Sequence, residues 1–327
     1  MTDKPFKTLA EQIEILRDRN LTFKDEVTAT QYLAAHGYYE IINGYKTPFL
    51  DIDGENFKEG TTFEDIFALY YFDSKVRTAV MSSLEFVESF LKQKLAYLLA
   101  EKHGENYNQY ISKSVFDAGN VLHRKIPEKQ LFTDRDLLFS KFHQICYKKY
   151  DPFKHYKQNH QNTPPWILVK GMDFGTLRTA IFLLNRKDKK ILLNRVFNPN
   201  VVSYLTDSQL NNLFSELILI INKYRNRAAH GGRMYNYFPD KGFTFNNLLH
   251  SSNGISKTSL SKSKKHSSSL FILLHAIRLL QPNFGHITLE IGLNTALKSY
   301  SSKWESQIAF VLSEMEFPSS YIYDDKN

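Results

Sequence analysis

Residues 63–101, FEDIFALYYFDSKVRTAVMSSLEFVESFLKQKLAYLLAE, carry the longest periodic pattern in the chain. Apolar residues recur every three or four positions without an internal glycine or proline, which predicts one long amphipathic α-helix. The residues of this stripe are Leu69, Val76, Val80, Leu84, Val87, Leu91, Leu95 and Leu98. Arg77 and Glu88 lie 11 residues apart, which returns them to nearly the same side of a helix at about 100° per residue. Both border the stripe, so they are either an ion-paired edge of a helix interface or supporting residues of a pocket.

Helical spacing also marks the regions on both sides of this stretch. A first helix is expected from Leu9, and a second over EVTATQYLAAHG, ending at Gly37. Residues 207–230 form another strong pattern, whose core stripe spans about 80° of a helical wheel. The members of that stripe are Leu210, Leu213, Leu217, Ile221 and Tyr224. Further helices are expected near 270–280 and 295–315, and a brief strand at 286–291.

Two polar segments interrupt these patterns. Residues 104–165 are poor in leucine and close on Pro164-Pro165-Trp166, which indicates an inserted segment with short helices near 134–149. Its His155 and His160 have no carboxylate or cysteine at zinc spacing, so they are expected at the surface. Residues 251–269 are rich in serine and lysine, which predicts a mobile basic loop. The lysines in its second half are Lys262, Lys264 and Lys265.

The composition favours a polyanionic partner. The formal net charge is +8, so the surface should attract polyanions. Aromatic residues make up 14% of the chain, and rings beside cations suit unpaired RNA, although most rings must be core. The segment GYYEIINGYKTPF at 37–49 holds Tyr45 and Lys46, and it is either core packing or a base-stacking platform.

Cys146 is the only cysteine, which rules out an intrachain disulfide and fits a reducing compartment. No signal peptide or apolar run of membrane length is present, so a cytoplasmic protein without a membrane span is expected.

The residues that carry chemistry are Arg225-Asn226-Arg227-Ala-Ala-His230-Gly231-Gly232-Arg233. The two glycines should end the helix and leave His230 in its last turn, where the helix dipole favours the charged imidazolium. Asn226 and His230 share a face that turns away from the core stripe, so that face can receive a second protomer. Arg225 and His230 are about 140° apart on the wheel. The long arginine side chain, or a two-fold interface, must therefore bring the two groups together.

These residue types suit the cleavage of RNA. RNA supplies its own nucleophile, the 2′-hydroxyl, so the protein needs a proton acceptor or donor and a cation for the phosphate. A histidine can transfer the proton, and arginine stabilises the charge on the transition-state phosphate. Neither a metal nor another cofactor is required. The simpler alternatives are a surface histidine at a helix end and arginines that only bind phosphate.

Arg225-Asn226-x-x-x-His230 resembles the R-x4-6-H signature of HEPN ribonucleases, and its surroundings resemble the AbiD/AbiF-like abortive-infection (Abi) defence family. Other blocks carry the likeness in the same order along the chain. These blocks are residues 37–49, Phe72-Asp73-x-x-Val-Arg77, Pro164-Pro165-Trp166 through Phe174-Gly175, and Arg233-Met-Tyr-Asn236. The resemblance extends over about residues 5–240.

The resemblance implies an all-α fold with a HEPN-type helical bundle over residues 61–250 and an insertion at about 104–165. The patterns along the chain predict an N-terminal helical region over residues 1–60 and a C-terminal helical extension, with the basic loop, over residues 251–327. The resemblance further implies metal-independent RNA cleavage, with Arg225 and His230 catalytic and Asn226 supporting them. HEPN nucleases usually bring two motifs together, and this chain has one, so a homodimer is expected. Some relatives work with a small regulatory noncoding RNA.

We therefore expect an anti-phage endoribonuclease that binds target RNA and is regulated by a noncoding RNA. Further RNA contacts are expected at Arg227, Arg233, Tyr45, Lys46 and the three lysines of the serine-rich tract, with Arg77 and Glu88 in support. The first alternative is a non-catalytic protein that clamps a structured RNA. A weaker alternative is a protein-interaction component of a defence complex.

Overall fold

The structure is a computed structural model that describes residues 5–122, 132–263 and 265–321. Sixteen α-helices and no β-strand are present within these ranges, where extended backbone forms only isolated bridges. The predicted all-α fold class is confirmed. The helices are α1 (Leu9–Asp18), α2 (Glu26–His36), α3 (Phe63–His103), α4 (Tyr107–Tyr110), α5 (Asp134–Cys146), α6 (Phe153–His160), α7 (Pro165–Leu168), α8 (Phe174–Leu183), α9 (Arg186–Val196), α10 (Pro199–Tyr204), α11 (Asp207–Ala229), α12 (Lys257–Lys262), α13 (Lys265–Ser268), α14 (Leu270–Arg278), α15 (Phe284–Ser301) and α16 (Glu305–Glu314).

The chain divides into two compact units. Unit 1 contains the residues up to Ala79, Arg227–Tyr237 and the residues from Glu290 onward. Unit 2 contains Val80–Asn226 and Phe238–Leu289. The three domains expected from the sequence, at 1–60, 61–250 and 251–327, stay a prediction.

The long helix α3 forms where its pattern predicts. Its first turn is capped by Thr62, whose hydroxyl accepts from the amide of Asp65 at 3.3 Å while the Asp65 carboxylate accepts from the Thr62 amide at 2.9 Å. Every residue of its predicted apolar stripe is at most 2% exposed. The predicted stripe of α11 is buried in the same way, from Leu210 to Tyr224. Burial of these stripes, rather than intrinsic helix propensity, stabilises both helices.

The N-terminal helices and the polar insertion also match their patterns. Helix α2 ends at Gly37, which adopts φ +86°, a conformation that glycine tolerates better than other residues. The short helix expected near 134–149 is α5, which begins after a capping box between Thr133 and Asp136.

The serine- and lysine-rich tract at 251–269 is not the loop that its composition predicts. The described residues form α12 and α13, and Ser256 caps α12 by accepting from the amide of Ser259 at 3.0 Å. At its end Ser268 is buried, and its hydroxyl donates to the carbonyl of Pro239 at 3.0 Å. The serines act here as helix caps and buried donors, which composition alone does not distinguish from a linker.

The brief strand expected at 286–291 is also wrong, because these residues lie within α15. The β-branched residues in HITLEI favoured extended structure. Helical spacing continues past them, however, and Leu289, Leu293 and Leu297 are fully buried. Tertiary burial of this stripe outweighs the local preference.

Candidate active site

Helix α11 ends in a glycine-based cap that leaves His230 exposed. Gly231 follows it with φ +70°, in the left-handed region that favours glycine. The amide of Gly232 donates to the carbonyl of Arg227 at 2.9 Å, and the amide of Gly231 donates to that of Ala228 at 3.1 Å. This pair of bonds forms a Schellman motif in which His230 is the C-cap residue. The helix therefore ends directly before the histidine that the sequence placed in its last turn.

Arg227 holds the chain that follows this cap. Its Nε donates to the carbonyl of Arg233 at 3.1 Å, and its guanidinium lies 5.2 Å from the centroid of the Tyr237 ring. The side chain crosses so close to Gly232 that a Cβ at this position would collide with it. Arg227 thus donates a hydrogen bond to the local backbone and packs against an aromatic ring of the same unit.

Asp73 is the buried centre of this region. Its side chain is fully buried, and its Oδ1 accepts from the amides of Met234 at 2.9 Å and Tyr235 at 2.7 Å. Its Oδ2 accepts from the Tyr45 hydroxyl at 2.7 Å and from Nη1 of Arg77 at 3.2 Å. A buried carboxylate is costly unless it is paired and hydrogen-bonded. These four donors meet that requirement.

Two arginine side chains attach the backbone at and after the cap to other parts of unit 1. Nη1 of Arg77 also donates to the carbonyls of Gly231 at 3.3 Å and Gly232 at 3.2 Å. Nη1 of Arg233 donates to the carbonyl of Gly44 at 2.6 Å. The segment that follows His230 is therefore bonded both to α3 and to the helical backbone at Gly44.

Burial dominates the electrostatics of the centre. Desolvation raises the pKa of the Asp73 carboxyl, and the hydrogen bonds from Tyr45 and from the two backbone amides, together with the positive charge of Arg77, oppose that rise. Burial, reinforced by the neighbouring Asp73 charge, raises the pKa of the Tyr45 hydroxyl. Tyr45 consequently stays a hydrogen-bond donor to the carboxylate.

Three of the sequence blocks that carried the resemblance meet at this point. They are the aromatic segment 37–49 through Gly44 and Tyr45, the start of α3 through Asp73 and Arg77, and the chain after His230. Blocks that are distant in sequence thus serve one local structure.

Arg225 and Asn226 occupy the last two turns of α11. Asn226 is exposed and Arg225 is half-buried. Arg225 interacts electrostatically with Asp173, which caps α8 by accepting from the amide of Thr176 at 2.6 Å. Burial of Asp173 favours its neutral form, but the bonds from Thr176 and the charges of Lys141 and Arg225 outweigh burial and lower its pKa.

The α11 face that carries Asn226 differs from the core stripe. Its residues are half-buried rather than buried: Asn211, Ser215, Leu219 and Asn222. This is the face from which the sequence predicted contact with another helix or protomer, and that contact stays a prediction.

The remaining predicted residues are dispersed. Tyr45, expected at an RNA surface, is 3% exposed and belongs to the core of unit 1. Lys46 is half-buried, and Lys262 and Lys265 are exposed. Lys265 Nζ lies 4.9 Å from the centroid of the Phe238 ring. Lys264 lies outside the described residues.

The two residues expected to support the site have separate partners. Arg77 pairs with Asp73, and Glu88 pairs with Lys92 at 2.7 Å one helical turn later. Arg77 therefore contributes to the segment after His230, whereas Glu88 stabilises its own helix.

Asp73 is the residue whose role sequence reasoning missed. It lies four residues after Leu69 and three before Val76, so it occupies a position of the apolar stripe of α3. A carboxylate in such a stripe, followed by an arginine four residues later, is the signal that could have identified a buried ion pair.

Two further features concern metal binding and insertion into a membrane. Within residues 5–122, 132–263 and 265–321, no three His, Cys, Asp or Glu side chains are grouped so that they could hold a metal ion. In the same ranges no helix combines the length and the apolar character needed to cross a membrane.

Comparison with known protein families matches residues 31–236 to the Abi-like proteins. The matched range includes Tyr45, Asp73, Arg77, Arg225 and His230, and it covers more than half of the 327 residues. No curated protein and no solved structure matches the chain. Because the family match covers more than half of the sequence, the chain belongs to the family of Abi-like proteins.

Proposed function

We propose that this Abi-like protein is a metal-independent HEPN-type endoribonuclease that acts in the bacterial cytoplasm during abortive infection by phage. Membership in the family suggests the defence role. The observation that carries the nuclease proposal is the exposed His230 at the α11 cap, where the following backbone is fastened to buried Asp73. An exposed histidine on a rigid support is what proton transfer to and from a bound RNA requires.

The proposed chemistry uses the nucleophile that RNA carries. His230 removes the proton of a 2′-hydroxyl, whose oxygen attacks the adjacent phosphorus. The bond to the 5′-oxygen breaks, and this oxygen takes up a proton from water while His230 returns its own proton to solvent. The products are a 2′,3′-cyclic phosphate and a 5′-hydroxyl. Arg225 stabilises the charge on the phosphate oxygens in the transition state. Asn226 orients the imidazole or a phosphate oxygen.

We further propose that the active form is a homodimer. Each chain carries one motif, and Asn226 and His230 are both exposed. Arg225 is about 140° from His230 on the helical wheel, so a second copy of α11 facing the first would bring an arginine toward each histidine. Light scattering should give the mass of a dimer. Mixing Arg225→Ala with His230→Ala protein should then restore part of the activity.

The direct test is cleavage by His230→Ala and Arg225→Ala proteins. We expect each change to lower the cleavage rate by about 100-fold or more, because each removes a group that acts in the transition state. The matched controls are His36→Ala and Arg186→Ala, which remove exposed side chains elsewhere. Mapped 3′ ends should be 2′,3′-cyclic phosphates, and EDTA should leave the rate unchanged.

Retained cleavage in both folded site variants would refute the catalytic assignment. Loss of cleavage in EDTA, restored by a divalent cation, would refute metal independence while leaving the nuclease in place.

A second candidate is a non-catalytic protein that clamps a structured regulatory RNA. It is favoured by the net charge of +8 and by the exposed lysines Lys262 and Lys265. Sequencing of the RNA that copurifies with the wild-type and His230→Ala proteins separates the candidates. One discrete small RNA on both, bound with a steep salt dependence and never cleaved, would favour the clamp.

A further inference from the structure

The end of α5 and the helix α6 form a surface that the proposed active site does not use. Its sequence is YKKYDPFKHYKQNH, residues 147–160, and we call it the Tyr147–His160 surface. It carries four lysines and one carboxylate, that of Asp151. Such a local excess of positive charge attracts a polyanion.

Two aromatic rings on this surface are open to solvent and accompanied by cations. Tyr147 is 54% exposed and Tyr150 is 58% exposed. Nζ of Lys157 lies 3.2 Å from the centroid of the Tyr147 ring, and Nζ of Lys148 lies 5.6 Å from that of Tyr150. Each exposed ring therefore has a lysine ammonium beside it.

Helix α6 adds three further rings. The ring centroids of His155 and Tyr156 are 5.8 Å apart, those of Tyr156 and His160 are 5.1 Å apart, and those of His155 and His160 are 5.6 Å apart. Planar groups thus continue along the surface for more than one turn of the helix.

Buried anchors hold this surface in place. Phe153 is 2% exposed, and Nζ of Lys148 donates to the carbonyl of Gly171 at 3.3 Å. A Cβ at Gly171 would collide with the side chain of Ile145, so the chain before α8 packs directly against the end of α5. A rigid platform loses less conformational entropy when it binds a ligand.

The backbone that anchors this surface leads to a carboxylate that interacts with Arg225. Gly171, which accepts from Lys148, is two residues before Asp173. Asp173 interacts electrostatically with Lys141 of α5 and with Arg225 of α11.

We propose that the Tyr147–His160 surface binds single-stranded RNA, whose bases stack on its exposed rings while its lysines contact the phosphates. Bases stack on aromatic side chains only where they are not paired in a duplex, so the ligand is single-stranded. The assignment of RNA as the ligand rests on the proposed function. The surface contains none of the proposed catalytic residues, and it binds without cleaving.

The test measures the affinity of the full chain for a fluorescent 20-nucleotide polyuridylate at several salt concentrations. All proteins carry His230→Ala so that the probe stays intact. The charge variant is Lys149→Glu, Lys154→Glu and Lys157→Glu together. The matched control is Lys24→Glu, Lys187→Glu and Lys303→Glu, which changes the net charge equally at exposed lysines elsewhere.

We expect the charge variant to bind at least about tenfold more weakly, with a salt slope smaller by about 2, since each lost contact with a single strand contributes about 0.7. The control should stay within about twofold of the parent. Tyr147→Ala with Tyr150→Ala should weaken binding by about tenfold or more at an unchanged salt slope, because stacking rather than charge is removed.

Equal weakening in the charge variant and its control would overturn the proposal. Equally tight binding of a duplex RNA of the same length would also overturn it, as would binding to anionic lipid vesicles without binding to RNA. A folded tyrosine double variant with unchanged affinity would refute the stacking contacts.

Failure of this inference is distinguishable from failure of the proposed function. With His230 restored, the charge variant should cleave with a higher KM and an unchanged kcat. Binding at the surface without any cleavage refutes only the nuclease. Cleavage by a protein whose surface variants bind like the control refutes only the RNA surface.

Discussion

Asp73 and Lys157 each lie against a tyrosine, yet Asp73 is fully buried whereas Lys157 is exposed. Around Asp73 every contact is a hydrogen bond with a fixed donor, and two of the donors are backbone amides. On the Tyr147–His160 surface the exposed rings of Tyr147 and Tyr150 are instead approached by lysine ammonium groups. Charged side chains beside tyrosines therefore stabilise the fold where they are buried and form a contact surface where they are exposed.

The contacts around Asp73 also contribute more to the stability of the fold than the contacts on the Tyr147–His160 surface do. Breaking a buried charge network leaves desolvated groups without partners, which costs several kcal/mol. An exposed cation–ring pair contributes only about 0.5–1 kcal/mol. The exposed lysines and tyrosines thus do little for the fold, which favours a role in binding. Three substitutions test this contrast, from the largest expected effect to the smallest.

The largest effect is expected for Asp73→Ala. The change leaves the Met234 and Tyr235 amides, the Tyr45 hydroxyl and part of Arg77 without their acceptor. We expect the free energy of unfolding to fall by about 3–5 kcal/mol, as when one partner of a buried ion pair is removed. Urea denaturation measures this, with Glu59→Ala, an exposed acidic residue, as the control. A loss below about 1 kcal/mol would mean that Asp73 is not the centre of the network.

An intermediate effect is expected for Tyr45→Phe. The ring remains in the core, but the 2.7 Å hydrogen bond to the Asp73 carboxylate is lost. Removing a hydrogen bond to a charged group should lower the free energy of unfolding by about 1.5–3 kcal/mol. Tyr70→Phe is the matched control, because its hydroxyl bonds to exposed His36 at 3.2 Å. Equal losses in the two variants would show that the buried carboxylate adds nothing to the bond.

The smallest effect on stability is expected for Lys154→Ala. Its side chain is exposed on α6, so the free energy of unfolding should change by no more than about 0.5 kcal/mol. Thermal and urea unfolding both measure it, with Lys187→Ala as the control. A loss above 1 kcal/mol in Lys154→Ala alone would place this lysine in the scaffold and would weaken the contrast between the two regions.

The sequence predicted those features that depend on local periodicity. The stripe of α3 from Leu69 to Leu98 and that of α11 from Leu210 to Tyr224 follow the helical repeat, and both are buried. The glycine pair after His230 predicted the end of α11, because a left-handed residue at this position favours glycine.

Features that depend on distant partners could not be predicted in this way. Asp73 bonds to Met234 across 161 residues, and no repeat in the sequence connects the two. The strand prediction at 286–291 was wrong for the same reason, because the burial of Leu289 and Leu293 against distant parts of the chain determines the conformation of this segment. Likewise Ser268 became a buried donor to Pro239, a partner that lies 29 residues away.

The bonds between Asp73 and the chain after His230 also bear on how the protein is made. A ribosome adding about 5–20 residues per second exposes Asp73 many seconds before it delivers Met234 and Tyr235. During that interval the carboxylate lacks two of its donors and the histidine has not been synthesised. A chain interrupted before residue 230 thus lacks both His230 and two donors to Asp73, so the proposed ribonuclease would become complete only after about 70% of its length has been synthesised.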